Sequence, residues 1–150
     1  MGSTNLLTSD QEQQVIDAIR DAEDRTSGEI RIHIEDTVSG DPLERAKQIF
    51  HDLGMNETKR QNGVLIYIAS GDRRAAIYGG NGIDRETEAG FWNQTLEELI
   101  THFKQQQFET GLVQTVGRVA KKLARFFPPD PDDVNELSNE ISYKQNPEKQ

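Results

Sequence analysis

The sequence contains no cysteine among its 150 residues. This absence excludes a disulfide scaffold, a zinc ribbon and thiol catalysis, and it suits a reducing compartment. Long apolar runs are also lacking, because no stretch approaches the roughly 18–20 residues that a membrane-spanning helix needs. Residues 1–10 carry no basic region followed by an apolar segment, so no signal peptide is expected. We therefore predict a cytoplasmic protein without a membrane span.

Positive charge is scarce relative to negative charge. Lysine and arginine number 17 against 26 aspartates and glutamates, which leaves a formal net charge of −9. Nucleic-acid phosphates require a basic face, so nucleic acid is not an expected partner. The hydrophobic content of 33% and the length of 150 residues fit one soluble domain that can bury a core.

The composition changes where the apolar pair Phe126-Phe127 meets two prolines. Beyond this point the chain has six acidic residues against two lysines and little apolar content, which is typical of a solvated segment. We therefore predict three parts. They are a flexible amino terminus over residues 1–8, an α/β domain over 9–127 and a disordered acidic tail over 128–150.

Local patterns in the first half of the chain predict two helices and a strand. Residues 9–12 fit a capping box, and the apolar spacing that follows predicts a helix that ends near Gly28. Residues 29–35 alternate isoleucine with polar residues, which predicts a strand whose polar face is half exposed or lightly covered. Asp41, followed directly by proline, predicts the start of a second helix over 42–53.

The second half predicts two strands and two helices. Residues 64–69 are apolar without alternation, which indicates a central strand buried on both faces. A turn at 70–73 leads to a hairpin partner at 75–78. Apolar positions at helical spacing in 91–103 and 112–127 predict the closing helices. The order αβαββαα, with the first two strands parallel, predicts an α/β/α sandwich around a mixed sheet.

Oxygen-bearing residues gather at one edge of this predicted sheet. The first and second strands begin there, and the third strand ends there because it runs back. Carboxylate, amide and carbonyl oxygens are the ligands of Ca²⁺, with Mg²⁺ as an alternative, although glycines here also suit a simple turn. The predicted metal ligands are Glu29, Asn62, Gly80, Asn81, Gly82, Asp84, Glu86 and Glu88.

Several motifs occur in the order and spacing of a known family. They are residues 26–30, 62–68, Asp72-Arg73, 80–84 and 108–112. Together these motifs resemble the signature of the TPM domain family over roughly residues 6–127. The sequence is most similar to a cytosolic bacterial branch, whereas other members are linked to photosystem repair in the thylakoid lumen or to modulation of membrane complexes.

The resemblance implies a Rossmann-like α/β/α sandwich that binds a divalent cation, chiefly calcium, at the glycine-loop edge. It also implies a possible phosphatase, since the family often carries that label. The sequence departs from the family pattern at Gln61, where an aspartate is usual, and this removes one expected ligand. The signal peptide and membrane anchor of many members are missing, so their cell-envelope roles are not expected.

Two classes of function follow. In a metal-assisted phosphatase, a metal held by Asn62 and Asp84 would lower the pKa of bound water, and an arginine would neutralise phosphoryl charge. The candidate arginines are Arg73, expected at the opposite end of the sheet, and Arg85.

In the other class the chain is a binding or assembly module for a protein partner, supported by the acidic tail and by a polar strand face expected to be uncovered. That face comprises Arg31, His33 and Glu35. All three histidines, His33, His51 and His102, are predicted to be surface or bridging residues, and we favour the module.

Overall fold

The computed structural model describes residues 6–57, 61–80, 83, 89–129 and 141–143. These residues form four α-helices, one 3₁₀ helix and four strands. In chain order the elements are α1 Ser9–Arg25, β1 Glu29–Glu35, α2 Pro42–Asp52, a 3₁₀ helix Met55–Glu57, β2 Gly63–Ala69, β3 Arg74–Gly79, α3 Ala89–Lys104, α4 Phe108–Phe126 and β4 Ser142–Tyr143. None of the helices in these ranges combines the length and apolar character that a membrane crossing requires.

The strands form one mixed sheet in the order β3-β2-β1-β4. β1 and β2 are parallel, with Glu29 opposite Gly63. β3 returns antiparallel to β2, with Val64 opposite Gly79. β2 therefore lies between two strands, and all of its residues are buried. The predicted central strand, its parallel neighbour and its hairpin partner are confirmed.

Helices cover both faces of this sheet. Successive side chains of a strand point to opposite faces. The β2 side chains at positions 64, 66 and 68 pack with those of α1, α3 and α4 in one core cluster. The side chains at 65, 67 and 69 pack with α2 in a second cluster. The layered α/β/α arrangement predicted from the sequence is confirmed.

The first helix is capped one residue earlier than the sequence predicted. The side chain of Thr8 accepts from the Gln11 N–H at 3.1 Å, and the Thr8 N–H donates to Gln11 Oε1 at 2.9 Å. This pair closes the capping box, and Ser9 is already helical. α2 begins as predicted, with Asp41 as its cap and Pro42 in its first position.

The polar face of β1 is buried at three of its four residues, with Arg31 partly exposed, so the prediction of a half-exposed or lightly covered face is wrong for most of its length. Glu29 and His33 are each 5% exposed, and Glu35 is 1% exposed. Arg45 of α2 and Tyr67 of β2 donate hydrogen bonds to Glu35 from two neighbouring elements. Alternation in a strand indicates that its faces differ in polarity. It does not reveal that polar partners from elsewhere in the chain cover the polar face.

Residues 141–143 form part of the sheet, although the sequence analysis placed them in a disordered tail. β4 pairs parallel with β1, with His33 opposite Ser142. Ile141 is 7% exposed and packs in the larger core cluster. The expected disorder therefore does not hold for these three residues, because the free edge of β1 can bury their apolar groups. The segments 1–5, 130–140 and 144–150 lie outside the described residues.

Candidate functional site

Three segments that are far apart in sequence meet at one edge of the sheet. They are the start of β1, the residues before β2 and the end of β3. The Glu29 N–H donates to the Asn62 carbonyl oxygen at 3.3 Å, and the Gly80 N–H donates to the Gly63 carbonyl oxygen at 2.9 Å. We call this end of the strands the glycine-loop edge, because the predicted glycine loop begins there at Gly80.

Two of the predicted ligands have buried side chains at this edge. Glu29 is 5% exposed and Asn62 is 2% exposed. The Asn62 side-chain amide donates to the Ser27 carbonyl oxygen at 3.3 Å, which fixes the amide plane. Ser27 is held in turn, since its N–H donates to the Phe127 carbonyl oxygen at 2.9 Å. The fold therefore holds the Asn62 side chain in place, and it buries the Glu29 side chain at the same edge.

The backbone packs closely where the glycine loop begins. A Cβ added to Gly80 would lie 2.6 Å from the Gln61 carbonyl oxygen, so a larger residue would displace the backbone. Gln61 has a φ of 54°, a conformation that residues with side chains adopt infrequently. The Ile83 N–H donates to the Gly80 carbonyl oxygen at 2.9 Å, and the Ile83 side chain is fully buried. Glycine at position 80 is therefore required by close packing.

The remaining predicted ligands lie outside the described residues. They are Asn81, Gly82, Asp84, Glu86 and Glu88. Within the described ranges, no three histidine, aspartate or glutamate side chains form a group that could hold a metal ion. The described part of the predicted site thus consists of Glu29, Asn62 and the Gly80 backbone, and metal binding stays a prediction.

A second polar cluster, which the sequence analysis did not single out, surrounds Glu35. Arg45 donates from Nη2 to Oε1 at 2.6 Å and from Nε to Oε2 at 3.0 Å. The Tyr67 hydroxyl donates to Oε2 at 2.5 Å. His33 stacks on Tyr67 with ring centroids 6.2 Å apart, and its Nε2 lies 3.3 Å from Glu35 Oε1. We call these four residues the Glu35 cluster.

These contacts shift the pKa values of the cluster. Burial alone would raise the pKa of Glu35, but hydrogen bonds from Arg45 and Tyr67 outweigh burial and lower that pKa to about 2. Burial, reinforced by the hydrogen bond to Glu35, raises the pKa of the Tyr67 phenol. Burial also lowers the pKa of His33, against the opposing effect of Glu35. At neutral pH the cluster therefore holds an ionised carboxylate on a guanidinium and a phenol.

The Glu35 cluster also fastens the tail strand to the sheet. The Ser142 hydroxyl lies 2.8 Å from His33 Nδ1 and donates to the Ile32 carbonyl oxygen at 3.3 Å. A hydroxyl, an imidazole and a carboxylate in this order also make up a nucleophilic relay. Here the carboxylate accepts from Arg45 and Tyr67, and the hydroxyl is bound to the backbone. We therefore interpret the arrangement as a structural tie between β4 and β1.

A family model and solved structures relate this chain to known proteins. The model of the TPM domain matches residues 2–122. The chain belongs to the TPM domain family. No curated protein sequence matches it.

Solved structures of similar proteins share the fold of this TPM domain. The BA42 protein from the psychrophilic bacterium Bizionia argentinensis is 46% identical, with a TM-score of 0.85 over 92% of this chain and 95% of that one. The N-terminal domain of a P. gingivalis protein is 20% identical, with a TM-score of 0.67 over 84% and 82% of the two chains. The N-terminal domain of cg2496 from Corynebacterium glutamicum is 13% identical, with a TM-score of 0.62 over 94% and 82%. The last two show the fold alone.

In this TPM domain the side chains considered for phosphoryl transfer are dispersed. Arg73 lies in the turn between β2 and β3, roughly 20 Å along β3 from Gly80. Arg85 lies outside the described residues. His51 and His102 each bond a carbonyl oxygen one turn back in their own helix, at 2.9 Å. None of these three described side chains belongs to the glycine-loop edge.

Proposed function

We propose that this TPM domain binds calcium at the glycine-loop edge and acts as a binding or assembly module. The observation that carries the proposal is the burial of Glu29 and Asn62, from separate segments, beside the backbone of Gly80. A carboxylate and an amide at one edge supply hard oxygen donors, and the glycine loop can add carbonyl oxygens. The carboxylates of the adjoining segment, with Asp84 foremost, would complete the coordination.

The chemistry of these donors favours calcium over magnesium. Calcium accepts six to eight oxygens at irregular angles, whereas magnesium requires a near-ideal octahedron. Amide and carbonyl oxygens on a bent loop fit the first requirement better. Because Gln61 is neutral, the site has one carboxylate fewer than the family pattern, and we expect a dissociation constant of about 10⁻⁵ to 10⁻³ M.

We assign binding rather than hydrolysis because Arg73, a cation considered for phosphoryl transfer, lies at the opposite edge of the sheet. A hydrolytic site needs a cation or further donors beside the developing charge. The role of a module also fits an acidic chain with a net charge of −9. Bound calcium would reduce the negative charge at the glycine-loop edge and so the repulsion between this edge and an acidic partner.

The proposal is tested by thermal unfolding with increasing calcium. Ligand that binds the native state alone stabilises it, so about 10 mM calcium should raise the melting temperature by about 3 °C or more. Glu29→Gln and Asp84→Asn should each blunt this rise, because each removes one negative charge. Asp10→Asn is the matched control, since Asp10 is exposed at the start of α1 and should leave the rise unchanged.

Three results would count against the proposal. The first is a melting temperature that does not respond to calcium, and the second is an equal response in Asp84→Asn and Asp10→Asn. The third concerns activity with p-nitrophenyl phosphate. Calcium-dependent hydrolysis that disappears in Asp84→Asn would replace the module with a metal-assisted phosphatase.

A further inference from the structure

A pocket of about 270 Å³ lies at the edge of the sheet opposite to the glycine loop. Its walls come from the turn between β2 and β3, the end of α3, the start of α4 and the residue Leu6, which precedes α1. Roughly 20 Å of β3 separates it from Gly80. The pocket therefore shares no residue with the proposed calcium site, and the inference below is independent of that site.

The pocket combines an apolar floor with a cationic rim. Ile100, Phe103 and Phe108 line it, and the two phenyl rings pack edge to face with centroids 5.3 Å apart. Arg73 and Lys104 are exposed lining residues, and Arg74 also lines it. No aspartate or glutamate is among the described lining residues, although acids outnumber bases by 26 to 17 in the chain.

The acid next to Arg73 in sequence points to other groups. Asp72 precedes Arg73 in the turn, and its carboxylate accepts from the Val38 N–H at 2.8 Å. Val38 packs in the core cluster of α2, whereas the pocket is lined by α3 and α4. The charge of Asp72 is therefore directed to the opposite side of the sheet from the pocket.

Two residues of the pocket have unfavourable backbone conformations. Arg73 has a φ of 57° and Gln106 a φ of 61°, and among the described residues the other non-glycine with positive φ is Gln61. Glycine is the usual residue at such positions, both in hairpin turns and after a helix end. Residues held in sparsely populated backbone conformations cluster at active sites, ligand-binding sites and switch regions. Here an arginine and a glutamine, both lining residues of the pocket, occupy these two positions.

We propose that this pocket binds a small organic anion with an apolar body, the body on the phenyl floor and the anionic group between Arg73 and Lys104. A volume of 270 Å³ is at the lower end of ligand pockets, which suits a single aromatic ring with a short acidic arm. A carboxylate and a phosphate-type group share the required charge. The choice between them is an outcome of the test.

The test is a chemical-shift titration of the ¹⁵N-labelled full chain with phenylacetate. Shifts should concentrate on Ala75, Ile100 and Phe103, with a dissociation constant on the order of 1 mM at low salt. Acetate lacks the apolar body and 2-phenylethanol lacks the charge, so each should bind at least ~5-fold more weakly. Phenylphosphonate tests the other headgroup, and the tighter of the two anions identifies the ligand class.

Charge variants test the rim. Arg73→Gln with Lys104→Gln should weaken phenylacetate at least ~5-fold and leave 2-phenylethanol unchanged, because two ion pairs are lost and the floor is kept. The matched control is Lys121→Gln with Arg125→Gln, which removes the same charge from exposed positions of α4 and should change neither. Equal weakening by both pairs, shifts scattered over the basic surface, or 2-phenylethanol binding as tightly as phenylacetate would each overturn the proposal.

Discussion

Replacement of Glu35 by glutamine tests the energetics of the buried cluster. The Glu35 side chain is 1% exposed and accepts two hydrogen bonds from Arg45 and one from Tyr67. Glutamine has nearly the same shape but no charge, and its amide nitrogen must face donors. The substitution therefore removes the ionic component and leaves the Arg45 guanidinium without its counter-charge. The packing of the neighbouring side chains is otherwise kept.

The magnitude follows from the pKa of Glu35. A fall from the ordinary value of 4.5 to about 2 corresponds to roughly 3 kcal/mol of stabilisation when the carboxylate is ionised. Loss of one partner from a buried pair costs a similar amount, about 3–5 kcal/mol. We therefore expect Glu35→Gln to lower the free energy of unfolding by about 3 kcal/mol at pH 7. For a chain of this size the melting temperature should fall by about 6–12 °C.

The effect should depend on pH in a defined direction. Because the pKa is lowered in the folded state, the stabilisation is fully present above pH 4.5 and is lost as the pH falls towards 2. At pH 3 about three-fifths of it should be gone, so the deficit of Glu35→Gln relative to the wild type should shrink to roughly 1.4 kcal/mol. Urea unfolding of both proteins at pH 7 and pH 3 measures this change.

Glu44→Gln provides the control, because Glu44 is exposed in the first turn of α2. That substitution should cost less than about 1 kcal/mol and should show no comparable convergence at low pH. The reasoning is refuted if Glu35→Gln costs no more than Glu44→Gln at pH 7. It is also refuted if the deficit of Glu35→Gln is the same at both pH values.

Two further predictions concern packing. Gly111→Ala would place a Cβ 2.8 Å from the His102 Cβ and should destabilise the domain by about 1–3 kcal/mol. Gly117→Ala, in the same helix, would meet no atom within 4 Å and should stabilise the domain by about 0.5–1 kcal/mol. Melting-temperature shifts of the same sign in the two variants would contradict this account. Truncation after residue 140 should lower the free energy of unfolding, measured with urea, by about 1–2 kcal/mol, because the burial of Ile141 is lost. The loss is partly offset, since the residues of β4 no longer have to be ordered on folding. An unchanged midpoint would show that β4 is not docked.

Much of the fold could be predicted because its signals are local. The apolar run of β2 and the cap of Asp41 before Pro42 each act within a few residues, and both are confirmed. The shift of the first cap to Thr8 was a choice between neighbouring residues that can both cap a helix. The elements were predicted from local sequence patterns. Their connections then predicted that the start of β1 and the end of β3 lie at the same edge.

The surroundings of β1 could not be predicted in the same way. Alternation along 29–35 indicates two faces, but the partners of Glu35 come from positions 10 and 32 residues further along, and Ser142 lies 109 residues from His33. No local pattern encodes such distant contacts. The strand at 142–143 is also too short to show a periodic pattern. The acidic composition of the surrounding segment led to the prediction of disorder there.

The candidate site was predictable to the extent that topology determines it. The parallel pair β1 and β2 brings Glu29 close to Asn62, and the hairpin brings Gly80 to the same edge. The pocket around Arg73 was not anticipated, because it depends on how α3 and α4 pack beside the hairpin turn. A turn arginine has no sequence signal that distinguishes a pocket rim from ordinary surface.

A calcium titration followed by ¹H–¹⁵N NMR tests the central claim most directly. With about 10 mM calcium, amide signals of Gly63, Gly79 and Gly80 should shift along a saturable curve, since these residues adjoin the proposed ligands. Signals of Gly40 and Gly71, which lie at the opposite edge of the sheet, should stay in place. Unchanged signals at Gly79 and Gly80, or equal shifts at both edges, would contradict a calcium site at the glycine-loop edge.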